Sequence, residues 1–222
     1  MTAIRLLVWK DLVLELRTKE ILTAMAVFSM LVAVVFGFAF SPSPDDAVRL
    51  LPGMLWVTLV FAATMGLSRS FVLEREQECL EGLRLFPIDR SAIYIGKALA
   101  NLVFLFAVEV LLLPALAAIS GVSLLPRLFP LLAVLVLGTI GLVAVGTLFS
   151  AMSVHTRIRE VLLPVLMLPL AAPVLISGTK AMQGLLAGRL WADVLPGIRI
   201  LGAFDVIFGV IGYLVFEYVL EE

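Results

Sequence analysis

The sequence predicts an all-α, polytopic membrane protein with six spanning helices, an amphipathic helix before the first and a charged helical segment after the second. Three observations predict it. Hydrophobic residues make up 62% of the chain, well above the roughly 45–50% of soluble domains. Mean hydropathy is +1.15. The apolar residues also fall in runs of spanning length, about twenty residues for a hydrocarbon core about 30 Å thick, separated by short stretches rich in Pro, Gly and charge. The 222 residues are taken up by one membrane unit, 1–222, with no room for a separate soluble domain.

Residues 4–19 project as an amphipathic helix, with Val8, Trp9, Leu12, Val13 and Leu16 on one arc and Lys10, Asp11, Glu15, Arg17 and Thr18 on the other. This suits a helix lying in the headgroup region with its charged face in water. The first span is expected over about 20–40, ended by Ser41-Pro42-Ser43-Pro44 and the acids Asp45 and Asp46. Its apolar run is too long for a secretory leader and no small-x-small cleavage site follows, so it reads as retained. The second span is expected over about 52–70, with Pro52 in its first turn. The remaining spans are expected over about 92–119, 128–152, 161–177 and 198–219, with a long mixed loop from Thr179 to Gly197 that includes a short interfacial helix around Leu185–Trp191.

Orientation follows from Lys and Arg. With the amino terminus inside, eleven of these residues fall on the inner side and five, Arg49, Arg127, Lys180, Arg189 and Arg199, on the outer side. The positive-inside rule therefore predicts both termini in the cytoplasm. A net charge of −1 and the lack of a basic run argue against a nucleic-acid partner and leave membrane lipid as the surrounding medium.

The inventory of reactive residues excludes most enzyme classes. His155 is the only histidine and Cys79 the only cysteine. No Gly-x-Ser-x-Gly, His-Glu-x-x-His or phosphate-loop pattern occurs, and Gly96-Lys97 lacks the upstream glycine and the following hydroxyl residue that a phosphate loop needs. No catalytic residue, metal ligand or resident cofactor is assigned to the chain itself. His155 reads as a solvated turn residue, and one histidine cannot supply two axial ligands to a heme.

Glu109, Asp205 and Glu217 fall inside expected spans. A central charge costs about 2.5–3.5 kcal/mol, offset in the third span by apolar residues contributing about −0.3 to −0.6 kcal/mol each. Glu109 and Asp205 are candidate functional polar residues. Two readings fit Glu109: a paired structural group inside the bundle, or a lining residue for a polar path. Glu217 is most simply interfacial. Pro164, Pro169 and Pro173 recur in the fifth span, each removing a helical hydrogen bond. They suit either a moving gate or a static, bent helix.

The charged segment from Arg75 to Arg90 separates the second and third spans. A coupling helix is expected over about 72–86, with Glu74, Gln77, Glu78 and Glu81 on one arc and Leu73, Cys79, Leu80, Leu83 and Phe86 on the other, ended by Pro87. An acidic face turned to the cytosol makes an efficient docking element.

Six spans, an amphipathic leading helix and a helix after span two resemble an ABC-2 type exporter permease. More closely, Leu50–Val57 (LLPGMLWV), Leu80–Lys97 (LEGLRLFPIDRSAIYIGK) and Leu162–Gly178 (LLPVLMLPLAAPVLISG) resemble the heme exporter protein B family of cytochrome c maturation. That family often carries Phe-x-x-Asp-x-x-Asp-Gly-Ser-Leu in this loop, held to engage the ATPase. Here Phe71, Glu74 and Leu80 keep its frame, and Gln77, Glu78 and Cys79 stand where the family has Asp, Gly and Ser.

The resemblance implies a permease in the bacterial inner membrane, present in two copies with two ABC ATPase subunits, a heme-handling membrane subunit and a periplasmic heme chaperone. ATP would bind the partner subunit and heme would belong to the assembly. Phe71, Glu74, Gln77, Glu78, Leu80, Glu81 and Leu83 would form the ATPase-coupling interface. ATP hydrolysis would drive heme export or release of the heme-loaded chaperone. Two other readings share most of these features: a drug or lipid export permease, and a membrane scaffold without transport.

Overall fold

The computed structural model describes residues 2–40, 44–76, 90–153 and 159–219. These form seven α-helices in chain order: α1 (Thr2–Thr18), α2 (Glu20–Phe40), α3 (Pro44–Glu76), α4 (Arg90–Ser120), α5 (Leu128–Ser153), α6 (Arg159–Leu186) and α7 (Trp191–Val219). A 3-10 turn, Leu125–Arg127, leads into α5. Among the described residues there is no strand. The helices α2 to α7 each contain a stretch long and apolar enough to cross a membrane, as the sequence predicts. In hydrocarbon every backbone N–H and C=O must be satisfied internally, which is why the chain spends almost all of its described length in helices.

The centre of the bundle is α5, which packs against α3, α4, α6 and α7. Its sequence explains why: Gly138, Gly141 and Gly146 let neighbouring helices approach its backbone. The Trp56 indole of α3 is fully buried and lies between Gly138 of α5 and Gly178 of α6. A methyl group at Gly178 would come within 2.5 Å of its Cε2 atom, and one at Gly138 would also collide with the ring. A single aromatic side chain thus sets the separation of three helices. The most buried span is α3; α7 and α2 are the least buried, with their outer faces left to lipid.

Two element boundaries differ from the expectation. The second spanning helix begins at Pro44, not near Pro52, which lies inside it. Proline at a first helical position is favourable, because it lacks only an N–H that would be unpaired there, and Asp46 in the first turn meets the positive end of the helix dipole. The expected loop from Thr179 to Gly197 is instead mostly helix. The end of α6 is set by a Schellman motif: Gly188 adopts φ +82°, Gly188 N–H donates to Leu185 O at 3.1 Å, and Arg189 N–H donates to Gly184 O at 2.9 Å. The next helix starts almost at once, with the Asp193 carboxylate accepting from Leu190 N–H at 3.2 Å, as in the acidic half of a capping box. Helix Trp191–Val219 therefore replaces the short interfacial helix expected around Leu185–Trp191.

Because Trp56 is locked on both faces, Gly178→Ala is expected to destabilise the protein by about 1–3 kcal/mol through overpacking. The pair Gly178→Ala with Trp56→Phe should recover part of that loss. Thermal unfolding of the purified full chain in detergent measures both.

Candidate functional site: the tied end of the bundle

The end of the bundle that leads into residues 71–89 carries most of the described polar contacts, and α1 organises it. The sequence predicts that the charged arc of α1 faces water. The structure divides that arc. Lys10 and Arg17 are exposed, whereas Asp11 and Glu15 join Leu7 on a stripe turned into the protein, at 8% and 2% exposure. Trp9 and Leu16 point outward, 67% and 68% exposed, toward the level where headgroups meet acyl chains.

The cause is Lys97, buried near the start of α4. Its Nζ lies 2.8 Å from Asp11 Oδ2, with both side chains nearly inaccessible. The same ammonium donates to Ser70 O of α3 at 3.3 Å. Gly96 allows the approach, since a Cβ there would already stand 3.0 Å from Leu7 Cβ. One cation therefore joins α1, α3 and α4, and its burial is tolerable because it is paired and hydrogen-bonded. Glu15 is satisfied differently: its Oε1 accepts from Leu22 N–H at 2.7 Å, capping the first turn of α2. The chain reverses between the two helices at Lys19, which holds φ 54°.

The last membrane turn of α3 is held from a second side by an ion pair between Arg69 and Glu20 of α2. A cleft of about 290 Å³ opens here, lined by Trp9, Asp11, Glu15, Arg17, Ser70 and Lys97 among others. Deeper in, α4 and α5 are joined by Asn101 Nδ2 donating to Thr147 Oγ1 at 3.3 Å and by Tyr94 OH donating to Ala144 O at 3.0 Å. Ser150 Oγ of α5 donates to Leu67 O of α3. The Tyr94 ring packs against that of Phe216 of α7, with centroids 5.4 Å apart and planes tilted by 47°. Helices α1, α4, α5 and α7 meet in a small apolar cluster around these rings.

The candidate residues named from sequence fall in three places. Phe71 and Glu74 belong to the last turns of α3, which stays helical through Glu76. Gln77, Glu78, Leu80, Glu81 and Leu83 lie outside the described residues, as do Cys79 and His155, and most of the expected coupling helix 72–86 falls there too. Glu109 is buried and accepts from Thr139 Oγ1 of α5, which fits its structural reading. Asp205 is half-buried on α7, packed against Gly141 so closely that a Cβ there would lie 2.6 Å from its Oδ1. Among the described residues its two carboxyl oxygens have no hydrogen-bond partner.

Thr139 and Gly141 are two residues apart, about 200° around α5 at 3.6 residues per turn. Glu109 and Asp205 thus meet opposite flanks of one helix and do not form a pair. Pro164, Pro169 and Pro173 all lie within α6, which the structure describes as one helix. Pro169 and Pro173 are on its exposed side, opposite Leu163, Met167, Ala171 and Val174 in the core.

Sequence reasoning missed Asp11, Lys97 and Ser70. A signal was present: a lysine and an asparagine four residues apart, Lys97 and Asn101, on one face of an apolar helix, preceded by two acids four apart, Asp11 and Glu15, on an amphipathic one.

Fold and site together define a class: a polytopic helical membrane protein with one end tied by a buried ion pair, from which a spanning helix continues beyond its apolar stretch. The chain matches the CcmB protein family over residues 1–220 and belongs to that family. It is similar to the heme exporter protein B of Rhodobacter capsulatus, 31% identical over 179 residues, covering 81% of this chain and 82% of the relative. It is also similar to those of Pseudomonas aeruginosa, 32% identical over 78% of this chain and 76% of the relative, and Escherichia coli K12, 30% identical over 88% and 89%.

Removing the carboxylate of Asp11 takes away a counter-charge against which Lys97 is buried. Asp11→Ala should lower stability by about 3–5 kcal/mol, and Asp11→Leu with Lys97→Met should restore most of it. Denaturant titration of the purified chain distinguishes the two; equal losses in both would show that the ion pair is not the tie.

Proposed function

We propose that this chain is the permease subunit of an ABC transporter complex in the bacterial inner membrane, acting in heme export and cytochrome c maturation, with ATP hydrolysed by a separate subunit. The names of its relatives support heme as the cargo of the system, and membership of the CcmB family supports the role of membrane component. Two copies of the chain would work with two ATPase subunits, a heme-handling membrane subunit and a periplasmic heme chaperone. Both termini lie in the cytoplasm in this reading, as the distribution of Lys and Arg favours.

The observation that carries the coupling is the path of α3. One helix runs from Pro44 to Glu76, and its apolar stretch ends at Ser70. The last turns therefore extend beyond the membrane and bring Phe71 and Glu74 toward the acidic segment containing Gln77, Glu78, Leu80, Glu81 and Leu83. From Pro52 onward α3 is one uninterrupted helix, and such a rod transmits displacement along its axis. Closure of the ATPase pair against this segment pushes on α3 and, through Lys97 and Ser70, on α4 and α1 together. The bundle then moves at its other end, where the heme-loaded chaperone is released. Glu109 and Asp205 hold the inter-helix contacts of α5 during that movement, and the three prolines let α6 flex as a gate.

Reversing Glu74, Glu78 and Glu81 to lysine should abolish co-purification of the ATPase subunit from membranes and reduce c-type cytochromes to background. Undiminished co-purification would overturn the assignment of this segment as the coupling interface.

A further inference from the structure

The opposite end of the bundle gathers positive charge. Arg49 stands near the start of α3, and twenty-one helical residues separate it from Ser70, about 30 Å at about 1.5 Å per residue, the thickness of a hydrocarbon core. A cleft of about 850 Å³ opens at this end between the start of α3 and the end of α6, and Arg49, Lys180 and Arg189 all line it. No acid lines it among the described residues. Val48, Leu186 and Ala187 supply an apolar wall beside the three cations.

The cleft is built by defined contacts. Gln183 Nε2 donates to Arg49 O at 2.6 Å, joining its two sides across 134 residues of sequence. The Schellman turn at Gly188 places Arg189 over Gly184, where a Cβ would lie 3.5 Å from Arg189 Cδ. A further cation, Arg127, donates to Gly188 O at 3.4 Å and holds the turn from outside. Of the described acids nearby, Asp193 is used as a cap for Leu190 N–H, and Asp46, three residues before Arg49, has an interaction of its own. The contrast with the other end is direct: there Lys97, Lys10 and Arg69 each face a carboxylate. Arg49, Lys180 and Arg189 are exposed, so water screens much of their mutual repulsion; an oxyanion between them would remove the rest, and guanidinium groups match oxyanions in geometry.

We propose that this cleft is a binding site for an oxyanion, a phosphate or carboxylate, carried on an apolar body that rests against Val48 and Leu186. Two sources would supply that chemistry: an anionic phospholipid with its headgroup phosphate and, resting on the function proposed above, heme with its two propionates. The site does not depend on the ATPase-coupling reading, which stands or falls with Glu74, Glu78 and Glu81.

The test uses the full chain in phosphatidylcholine nanodiscs with two probes. One is phosphatidylglycerol added to the disc and scored by native mass spectrometry. The other is iron protoporphyrin IX, followed by its absorbance and compared with its dimethyl ester, which lacks both carboxylates. Arg49→Gln, Lys180→Gln and Arg189→Gln combined should weaken one probe at least about tenfold, with each single change giving a smaller loss. Arg199→Gln, a cation of the same region that does not line the cleft, should leave binding unchanged. Loss confined to phosphatidylglycerol identifies a lipid site. Loss confined to the porphyrin, matched by weak binding of its ester, identifies a heme site. If neither probe responds to the triple variant or to any single change, the proposal is overturned.

Discussion

The separation of the central helices is fixed by one indole between two glycines. Trp56 cannot move toward α5 without striking Gly138 or toward α6 without striking Gly178, and no side chain larger than hydrogen fits at either place. In a membrane the lipid is as apolar as the side chains, so helix association relies on this kind of close contact more than on hydrophobic burial. The rest of the bundle is arranged around it: α4 and α7 join α5 on flanks that α3 and α6 leave open, and α2 completes the outside against α3 and α4.

Around that apolar centre the polar groups are unevenly placed. At the end that leads into residues 71–89, cations are matched with carboxylates and hydroxyls with carbonyls, so α1, α3 and α4 are tied at Lys97. At the other end cations converge on a cleft that no acid lines among the described residues. The middle carries two acids, one bonded to Thr139 and one packed against Gly141. This division suits a molecule that receives a push at one end and meets a ligand or partner at the other. The single helix α3 connects the two.

Much of the fold was legible because spanning helices announce themselves by length and hydropathy, signals that do not depend on tertiary contacts. What resisted reading did depend on them. The acids of α1 look solvent-facing in projection, since a helical wheel shows that Asp11 and Glu15 share a side but not that Lys97 waits opposite. Gly188 was readable in principle as the end of α6, yet the polar residues around Thr179 and Lys180 suggested a loop, and only the run of backbone hydrogen bonds through them makes a helix. Pro52 looked like a start because proline is favoured there; Pro44 has the same property with two acids behind it. That Glu109 lies inside a span was legible from its position, which left a paired and a path-lining reading open; its partner Thr139, thirty residues away, required the packing of α4 on α5.

The seat of α1 has a consequence for how the protein is made. Asp11 leaves the ribosome long before Lys97, and until α4 is in the bilayer the first helix has no cation to receive its acid. Its exposed Trp9 and Leu16 are enough to keep it at the membrane surface meanwhile, while Asp11 remains hydrated. Docking of α1 is therefore a late event in biogenesis, coming after a third spanning helix has been inserted, although α1 is synthesised before that helix.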